Sequence, residues 1–371
     1  MTNTQHTNLE VSALEAAELS SASTLLIDIR SATERSMGFV STAINMSAEA
    51  VLEGVQQGHP DLASGGYIMC TRGIRSGELV RTLNELGAAS FCSISGGFEA
   101  WSRDGLAVEY PGGLSALQAE RYARHLVIPQ VGPDGQQALL RSRILLVGLG
   151  GLNSPAALYL AAAGVGTLGL VDDDRVERSN LQRQVIHSEK RVGQMKARSA
   201  AEGISSLNPD TRLILHEQRV DALNAAGLVD SWDVVIDGTD NFSARYALNH
   251  ACVAAGIPLV YGAVMRFQGQ VAVFWPAAPE TLVTSSAPCL MCMLPEAPAA
   301  DDAPACAVAG VLGVVPGIVG SLQASEALKL VLGLGQPLLG RLLMFDALAM
   351  DFRQARIRRR PDCPCCGKIQ A

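Results

Sequence analysis

Charge is scarce in this chain, and positive charge is scarcest in its first third. Charged side chains make up 18% of its 371 residues. Residues 1–110 hold 6 Lys and Arg against 13 Asp and Glu, and the rest of the chain holds 23 of each, so the net charge of −7 belongs to the first third. A chain without a basic surplus is a poor candidate for nonspecific nucleic-acid binding. Its one basic run, Arg356, Arg358, Arg359 and Arg360, reads as the solvated end of an element. The N-terminus lacks a basic stretch followed by an apolar run, which argues against a secretory signal. No internal repeat and no long low-complexity tract is present. Residues 144–171 and 303–325 contain no charge at all. Each is long enough to cross a membrane. The glycines, Asn153, Ser154 and Pro155 in the first, and Pro304 and Pro316 in the second, fit turns and buried α/β cores instead, so no membrane span is expected. The nine cysteines are spaced like metal ligands and reactive thiols, not like a disulfide framework, which points to a cytoplasmic chain. A hydrophobic share of 48% excludes disorder, and the length predicts about two domains.

Two unlike halves meet at residues 111–115, Pro-Gly-Gly-Leu-Ser, a punctuated linker. The spacing predicts a first domain over residues 8–110, a linker over 111–116 and a second domain over 117–371. In the first half, Leu25-Leu26-Ile27 and Tyr67-Ile68-Met69 read as buried strands and residues 77–86 as an amphipathic helix. In the second, Arg143 to Val147, Gly169-Leu170-Val171, Val234-Val235-Ile236 and Leu259-Val260 read as strands, and residues 156–163 as a helix. Strands alternating with helices predict parallel α/β sheets in both halves. Residues 279–304, rich in Ala, Pro and Ser, read as a long functional loop.

In the first half, Cys70-Thr71-Arg72-Gly73-Ile74-Arg75-Ser76 follows a buried strand and opens a helix. Backbone N–H groups of such a loop can converge on one point, and the helix N-terminus adds its positive end. With Arg72 and Arg75 beside it, Cys70 is expected to have a lowered pKa and to act as a nucleophile. This loop resembles the active-site loop of the rhodanese family. The resemblance extends over about residues 8–110: Asp28 and Arg30 match its entry motif, Gly38-Phe39-Val40 through Ala43-Ile44-Asn45 its middle stretch, and Gly96-Gly97-Phe98 with Trp101 its final motif. Phe39 stands where the family usually has His. The resemblance implies a three-layer α/β domain that carries sulfur as a persulfide on Cys70. The span from Cys70 to Arg75 suits sulfur better than the larger phosphate handled by related phosphatases. Cys92 reads as core.

In the second half, Gly148-Leu149-Gly150-Gly151-Leu152-Asn153 follows a strand and opens a helix, and Asp172 ends the next strand. Glycines let a backbone approach phosphates, and an acidic side chain there can bind ribose. Alone this is a Rossmann fingerprint whose default ligand is NAD, with Asn153 in place of the third glycine. The residues that follow shift the reading to ATP. Asn180-Leu181-Gln182-Arg183-Gln184, Lys196 and Gly238-Thr239-Asp240-Asn241 supply cations for phosphates and a carboxylate for Mg²⁺. This order resembles the MoeB/ThiF family, relatives of the ubiquitin-activating enzymes, across about residues 115–371. The resemblance implies a Rossmann-like adenylation domain in which Asp172 binds ribose, Asn180, Arg183 and Lys196 contact phosphates, and Asp240 holds Mg²⁺. Arg121-Tyr122-Ala123-Arg124 resembles a motif whose second arginine reaches the neighbouring subunit's ATP, so Arg124 implies a homodimer.

Two pairs, Cys289-x-x-Cys292 and Cys363-x-x-Cys366, can supply a Cys₄ site, and their coincidence with the family's zinc pairs implies structural Zn²⁺. Cys365 lies inside the second pair as a bystander, and Cys252 reads as core. Cys306 resembles a family loop cysteine that takes part in sulfur or acyl transfer in some members. Together the motifs imply an enzyme that adenylates the C-terminal Gly-Gly of a ubiquitin-like sulfur-carrier protein and converts it to a thiocarboxylate. The sulfur donor would be a cysteine desulfurase or thiosulfate. The second half looks closer to MoeB than to ThiF, which favours a MoaD-like carrier and molybdopterin synthesis over a ThiS-like carrier. An NAD-dependent oxidoreductase and a non-catalytic carrier scaffold are the rival readings. Arg183, Lys196 and Asp240 weigh against the first.

Overall fold

The computed structural model describes residues 9–19, 24–88, 90–282, 287–297 and 310–367. The chain divides into two compact units, Met1–Gln136 and Gln137–Ala371.

The first unit is built on five strands: β1 (Glu10–Val11), β2 (Leu25–Asp28), β3 (Ile44–Asn45), β4 (Gly66–Met69) and β5 (Phe91–Ile94). They pair in the order β1-β5-β4-β2-β3, all parallel. Because side chains alternate along a strand, neighbours face opposite ways. Leu26, Met69 and Ile94 pack on one face with Ala13 and Ala16 of helix Ala13–Leu19 and with Phe98 and Trp101 of helix Gly97–Arg103. Ile27, Ile68 and Phe91 pack on the other with Val51 of helix Ala48–Gln56 and with Leu79, Val80 and Leu83 of helix Ile74–Glu85. The result is the three-layer domain that the sequence implies. Beyond it, Pro111–Gly113 forms a 3₁₀ turn, and Ser115 caps helix Ala116–Arg121 in a reciprocal capping box with Gln118.

The second unit is built on eight strands: β6 (Arg143–Val147), β7 (Thr167–Val171), β8 (Arg212–His216), β9 (Val234–Asp237), β10 (Leu259–Met265), β11 (Gln268–Phe274), β12 (Arg341–Asp346) and β13 (Asp351–Arg356). Their order is β13-β12-β11-β10-β9-β6-β7-β8. From β8 to β10 every pairing is parallel, as expected. From β10 to β13 the sheet is antiparallel, which corrects the expectation of a wholly parallel second half. The reason lies at residues 265–268, where Met265 pairs directly with Gln268. A two-residue connection can join only antiparallel strands. The turn needs positive φ, and the chain supplies it with Arg266 at +52° in place of the usual Gly or Asn, so the sequence carries no turn signal there.

The chain leaves β6 toward β7 and β8, then returns to place β9 on the other side of β6. Strand order therefore reverses at β6, and the crevice beyond the carboxyl ends of β6 and β9 is where open α/β sheets bind ligands. Among the described residues no helix is long and apolar enough to cross a membrane, and residues 314–325 of the second uncharged stretch lie in helix Val314–Leu332.

Candidate active sites

In the first unit, Cys70 leaves the carboxyl end of β4 and is buried, 1% exposed. Gly73, in the left-handed conformation at φ +85°, turns the chain into helix Ile74–Glu85. The Gly73 N–H donates to Cys70 Sγ at 3.1 Å, and the Ser76 hydroxyl donates to it at 3.5 Å. Ser93 Oγ lies 2.8 Å behind Ser76 Oγ, and both serines are buried. The loop rests on the Gly96-Gly97-Phe98 segment. The Phe98 N–H donates to Cys70 O at 2.9 Å and the Glu99 N–H to Thr71 O at 3.0 Å. A Cβ at Gly97, whose φ is +58°, would come within 2.2 Å of Cys70 O, so only glycine fits. Phe98 in turn is stacked by Arg30, 3.7 Å from its ring centre, and Arg30 grips the buried Asp28 through two side-chain nitrogens. These three sequence motifs therefore converge on one loop.

Burial pushes the Cys70 thiol up. The Ser76 hydroxyl and the backbone N–H groups of Ser76, Arg72 and Gly73 outweigh it and hold the thiol below its ordinary value. Alkylation of Cys70 by iodoacetamide is therefore expected to rise with pH through a midpoint below that of free cysteine. Ser76→Ala should move that midpoint upward, read by quantitative mass spectrometry of the Cys70 peptide across a pH series.

The two arginines of the loop behave differently. Arg72 is exposed. Arg75 has Glu34 as its main partner, through both guanidinium NH₂ groups, and also donates to Thr71 Oγ1 at 3.1 Å; Cys70 is a lesser attraction. Thr71 Oγ1 donates to Glu34 Oε1 at 2.6 Å. Burial pushes the Glu34 carboxyl up, but Arg75, Thr71 and Ser31 overcome this and hold it at about 2. Sequence reasoning missed Glu34. Its only local signal is the capping box Ser31-x-x-Glu34 of helix Ala32–Arg35, which suggests a cap and nothing more.

In the second unit, a cavity of about 360 Å³ opens at the crevice where strand order reverses, and Gly148, Gly150, Gly151, Asp172, Arg183, Lys196 and Asp240 all line it. Residues up to 92 positions apart in sequence thus reach one space. Gly148 has φ +77°, and a Cβ there would come within 2.9 Å of Gly238 O. The Gly148 N–H donates to Val171 O and the Gly238 N–H to Val147 O, stitching the ends of β6, β7 and β9 together.

Asn153, in place of the third glycine of the fingerprint, is expected to loosen the packing of helix on strand, and the structure shows it closely packed instead. Its side-chain NH₂ donates to Val147 O at 3.0 Å and to Gly148 O at 2.7 Å. The amide packs against Gly238, where a Cβ would lie only 2.5 Å from the Asn153 nitrogen. Asn153→Ala should destabilise the fold by about 1–2 kcal/mol in urea titrations, because a buried carbonyl loses a donor. The gain from removing Asn153 Oδ1, which has no partner among the described residues, limits that cost.

Asp172 is held at the rim by the Leu149 N–H at 2.6 Å and the Asp174 N–H at 2.9 Å. Burial pushes its carboxyl up, against the Lys196 charge and these two N–H groups. Lys196, at the start of helix Lys196–Leu207, is buried and pairs with Asp174 at 2.8 Å. Arg183 is half-buried and donates to Ser179 O at 3.2 Å. Asp240 is exposed on the turn after β9. That turn is fixed from behind by the buried Asp237. It accepts from Arg245 at 3.2 Å and from the Thr239 N–H and hydroxyl at 2.9 and 2.7 Å.

Asn180 does not line the cavity. Its Oδ1 accepts from the Glu177 N–H at 3.2 Å, closing the 3₁₀ turn Arg178–Asn180. Arg124 lies exposed on the short helix Ala123–Leu126. Two residues that sequence reasoning missed support the cavity. Arg245 lines it. His187, buried, bridges Ser199 Oγ at 2.8 Å and Leu149 O at 3.1 Å behind the glycine loop. Burial pushes His187 down to about 4, so it is neutral near neutral pH. Neither belongs to a motif: His187 acts through Leu149, 38 positions back, and Arg245 through Asp237 and Thr239.

Cys289, Cys292, Cys363 and Cys366 are all buried, with ligand atoms within 4.8 Å of one another. Three of the sulfur pairs lie 3.4, 3.6 and 4.0 Å apart. Four thiolates around a tetrahedral ion at a metal–sulfur distance of ~2.3 Å stand about 3.8 Å apart, so the residues fit such an ion with no coordination position left open. Cys365 is half-buried and accepts from Asn249 Nδ2 at 3.2 Å, outside that quartet. Cys306 lies outside the described residues, as do residues 283–286 and 298–304 of the long loop.

The model of the ThiF family matches residues 122–365, and that of the rhodanese-like domain matches residues 12–104. The chain belongs to the ThiF family and carries a rhodanese-like domain before the ThiF region. Over 255 residues it is 51% identical to the SAMP-activating enzyme E1 of Haloferax volcanii, a span covering 69% of this chain and 91% of that protein. Over 257 residues it is 48% identical to the probable adenylyltransferase/sulfurtransferase MoeZ of Mycobacterium tuberculosis, covering 69% of this chain and 64% of that protein. Among solved structures, MccB of E. coli with MccA-N7isoASN superposes with a TM-score of 0.60 at 19% identity, covering 87% of this chain and 86% of that one. That likeness is one of fold.

Proposed function

We propose that this chain uses ATP to adenylate the C-terminal Gly-Gly carboxylate of a ubiquitin-like sulfur-carrier protein and then exchanges the activated oxygen for sulfur carried on Cys70. One observation carries the reading. The glycine loop, Asp172, Arg183, Lys196 and Asp240 share a single cavity at the point of strand reversal, which brings two cations, two carboxylates and a glycine-rich backbone together. The names of the two relatives support both halves of it.

In the first stage the carrier's carboxylate oxygen attacks the α-phosphorus of ATP. The bond to the bridging oxygen breaks, pyrophosphate leaves and an acyl-adenylate remains. Arg183 and Lys196 offset the charge developing on the phosphates, with Lys196 released from Asp174 to do so. Mg²⁺ would be held by Asp240 and would supply further neutralisation of the leaving pyrophosphate. In the second stage the terminal sulfur of the Cys70 persulfide attacks the acyl carbon, and AMP leaves. The acyl disulfide so formed is opened when a second thiol, proposed to be Cys306 on its resemblance to a family loop cysteine, attacks Cys70 Sγ. The carrier departs as a thiocarboxylate, and the two thiols supply the two electrons as they become a disulfide.

Zn²⁺ is the metal proposed for the cysteine quartet, in a structural role. One zinc per chain is expected by elemental analysis. Cys363→Ser should abolish it and lower Tm by roughly 5 °C or more. Arg124 is proposed to serve the ATP of a second copy of the chain, making a homodimer, and the cytoplasm is the proposed compartment. A MoaD-like carrier of molybdopterin synthesis is favoured over a ThiS-like one. Carrier-stimulated ATP–pyrophosphate exchange tests the reading. Tight NAD(H) binding without exchange would point to the oxidoreductase reading, and ATP binding without turnover to the scaffold.

A further inference from the structure

We infer that Glu34 sets the class of sulfur donor, disfavouring divalent anions such as thiosulfate and favouring weakly charged persulfides. This rests on the reading of Cys70 as the sulfur-carrying thiol. The observation is a matter of where charge goes. Two arginines stand in the Cys70 loop, and a loop bearing both charges would draw in anions. The structure gives one of them a carboxylate as its main partner. Arg75 is paired with Glu34 through both NH₂ groups, and Thr71 Oγ1 donates to the same carboxylate. Glu34 is itself anchored by the capping box, where it accepts the Ser31 N–H at 2.9 Å. The sulfur accepts from uncharged donors, the Gly73 N–H and the Ser76 hydroxyl, which stabilise a thiolate without attracting a dianion from solution, and Arg75 adds a lesser attraction beside them.

Either donor loads Cys70 by the same displacement. The thiolate attacks the outer sulfur, the sulfur–sulfur bond of the donor breaks, and sulfite or a thiolate leaves with the electron pair. The two donors differ in the charge that must enter the loop. A carboxylate beside Arg75 opposes thiosulfate twice, by repelling it and by occupying the guanidinium that would bind it. A zwitterionic persulfide meets little of either effect. Glu34 is thus a positioning residue that acts through Arg75.

The test uses the full chain and Glu34→Gln, which keeps the capping-box geometry because glutamine serves that position as well as glutamate. Cys70 is alkylated in parallel with anionic iodoacetate and neutral iodoacetamide, and the rates are read on its peptide. Glu34→Gln is expected to raise the iodoacetate-to-iodoacetamide ratio by roughly threefold to tenfold at low ionic strength, less at high salt, as one unit charge in a partly solvated site should. The ratio of sulfur loading from thiosulfate to loading from cysteine persulfide should rise similarly, through KM for thiosulfate. Glu34→Gln combined with Arg75→Gln should return both ratios to the starting value or below. Ratios unchanged in Glu34→Gln, or still raised in the double variant, would overturn the inference. Alkylation does not require sulfur transfer. If Cys70 accepts sulfur from neither donor while the alkylation ratio shifts, the sulfur-carrier reading fails and the electrostatic role of Glu34 stands.

Discussion

Asp240→Ala is expected to lower carrier-dependent ATP–pyrophosphate exchange by on the order of 100-fold or more, the scale on which removing one stabiliser of developing charge acts. Attack on the α-phosphorus pushes negative charge onto pyrophosphate, and that charge needs a cation in a fixed place. Among the described residues four acids line the cavity: Asp172 accepts from two backbone N–H groups, Asp174 pairs with Lys196, and Asp173 and Asp240 are exposed, with Asp240 the one carried by the turn after β9. Asp240 stands exposed in the cavity on a turn held by other residues. The Asp237–Arg245 pair and the Asn241 cap of helix Phe242–Ala255 survive its loss, so the variant should fold normally. Asp240→Asn, which keeps the shape and removes the charge, should be nearly as inactive. Isotope exchange between labelled pyrophosphate and ATP makes the measurement.

Cys70→Ala should produce the opposite dissection: pyrophosphate exchange within about twofold of the unmodified chain, and no thiocarboxylate. Alanine fits the buried site at the end of β4, and the loop backbone is held by Phe98 and Glu99 through main-chain bonds that the substitution leaves alone. What is lost is the sulfur that the Gly73 N–H and the Ser76 hydroxyl can stabilise as a thiolate or leaving group. Thiocarboxylate formed at an unchanged rate by Cys70→Ala, with no other sulfur source added, would remove the rhodanese-like unit from the reaction.

The contrast between these two variants follows a division already visible in the sequence. Local patterns that fix backbone direction were readable. The apolar runs at Leu25-Leu26-Ile27 and Arg143 to Val147 became β2 and β6, and Gly73 and Gly148 sit at the left-handed turns their loops require. Contacts between distant positions were not readable. Glu34 meets Thr71 across 37 positions, His187 reaches back 38 positions to Leu149, and nothing in either local pattern marks the partner. Asn153 shows how a fingerprint misleads. The third glycine of the pattern exists for close packing, and here that closeness is supplied from the other side, by Gly238, which makes room for an amide that ties two carbonyls. The antiparallel half was hidden because Arg266 takes a conformation usually left to glycine or asparagine.

The most direct measurement is the intact mass of a candidate carrier after incubation with the chain, Mg-ATP and a persulfide donor. The expected product is a carrier in which one C-terminal carboxylate oxygen has been replaced by sulfur, absent without ATP, without the terminal Gly-Gly, and with either Asp240→Ala or Cys70→Ala. A thiocarboxylate that forms without ATP would contradict adenylation by the second unit. So would carriers of every class that remain unmodified while the chain shows no pyrophosphate exchange with any of them.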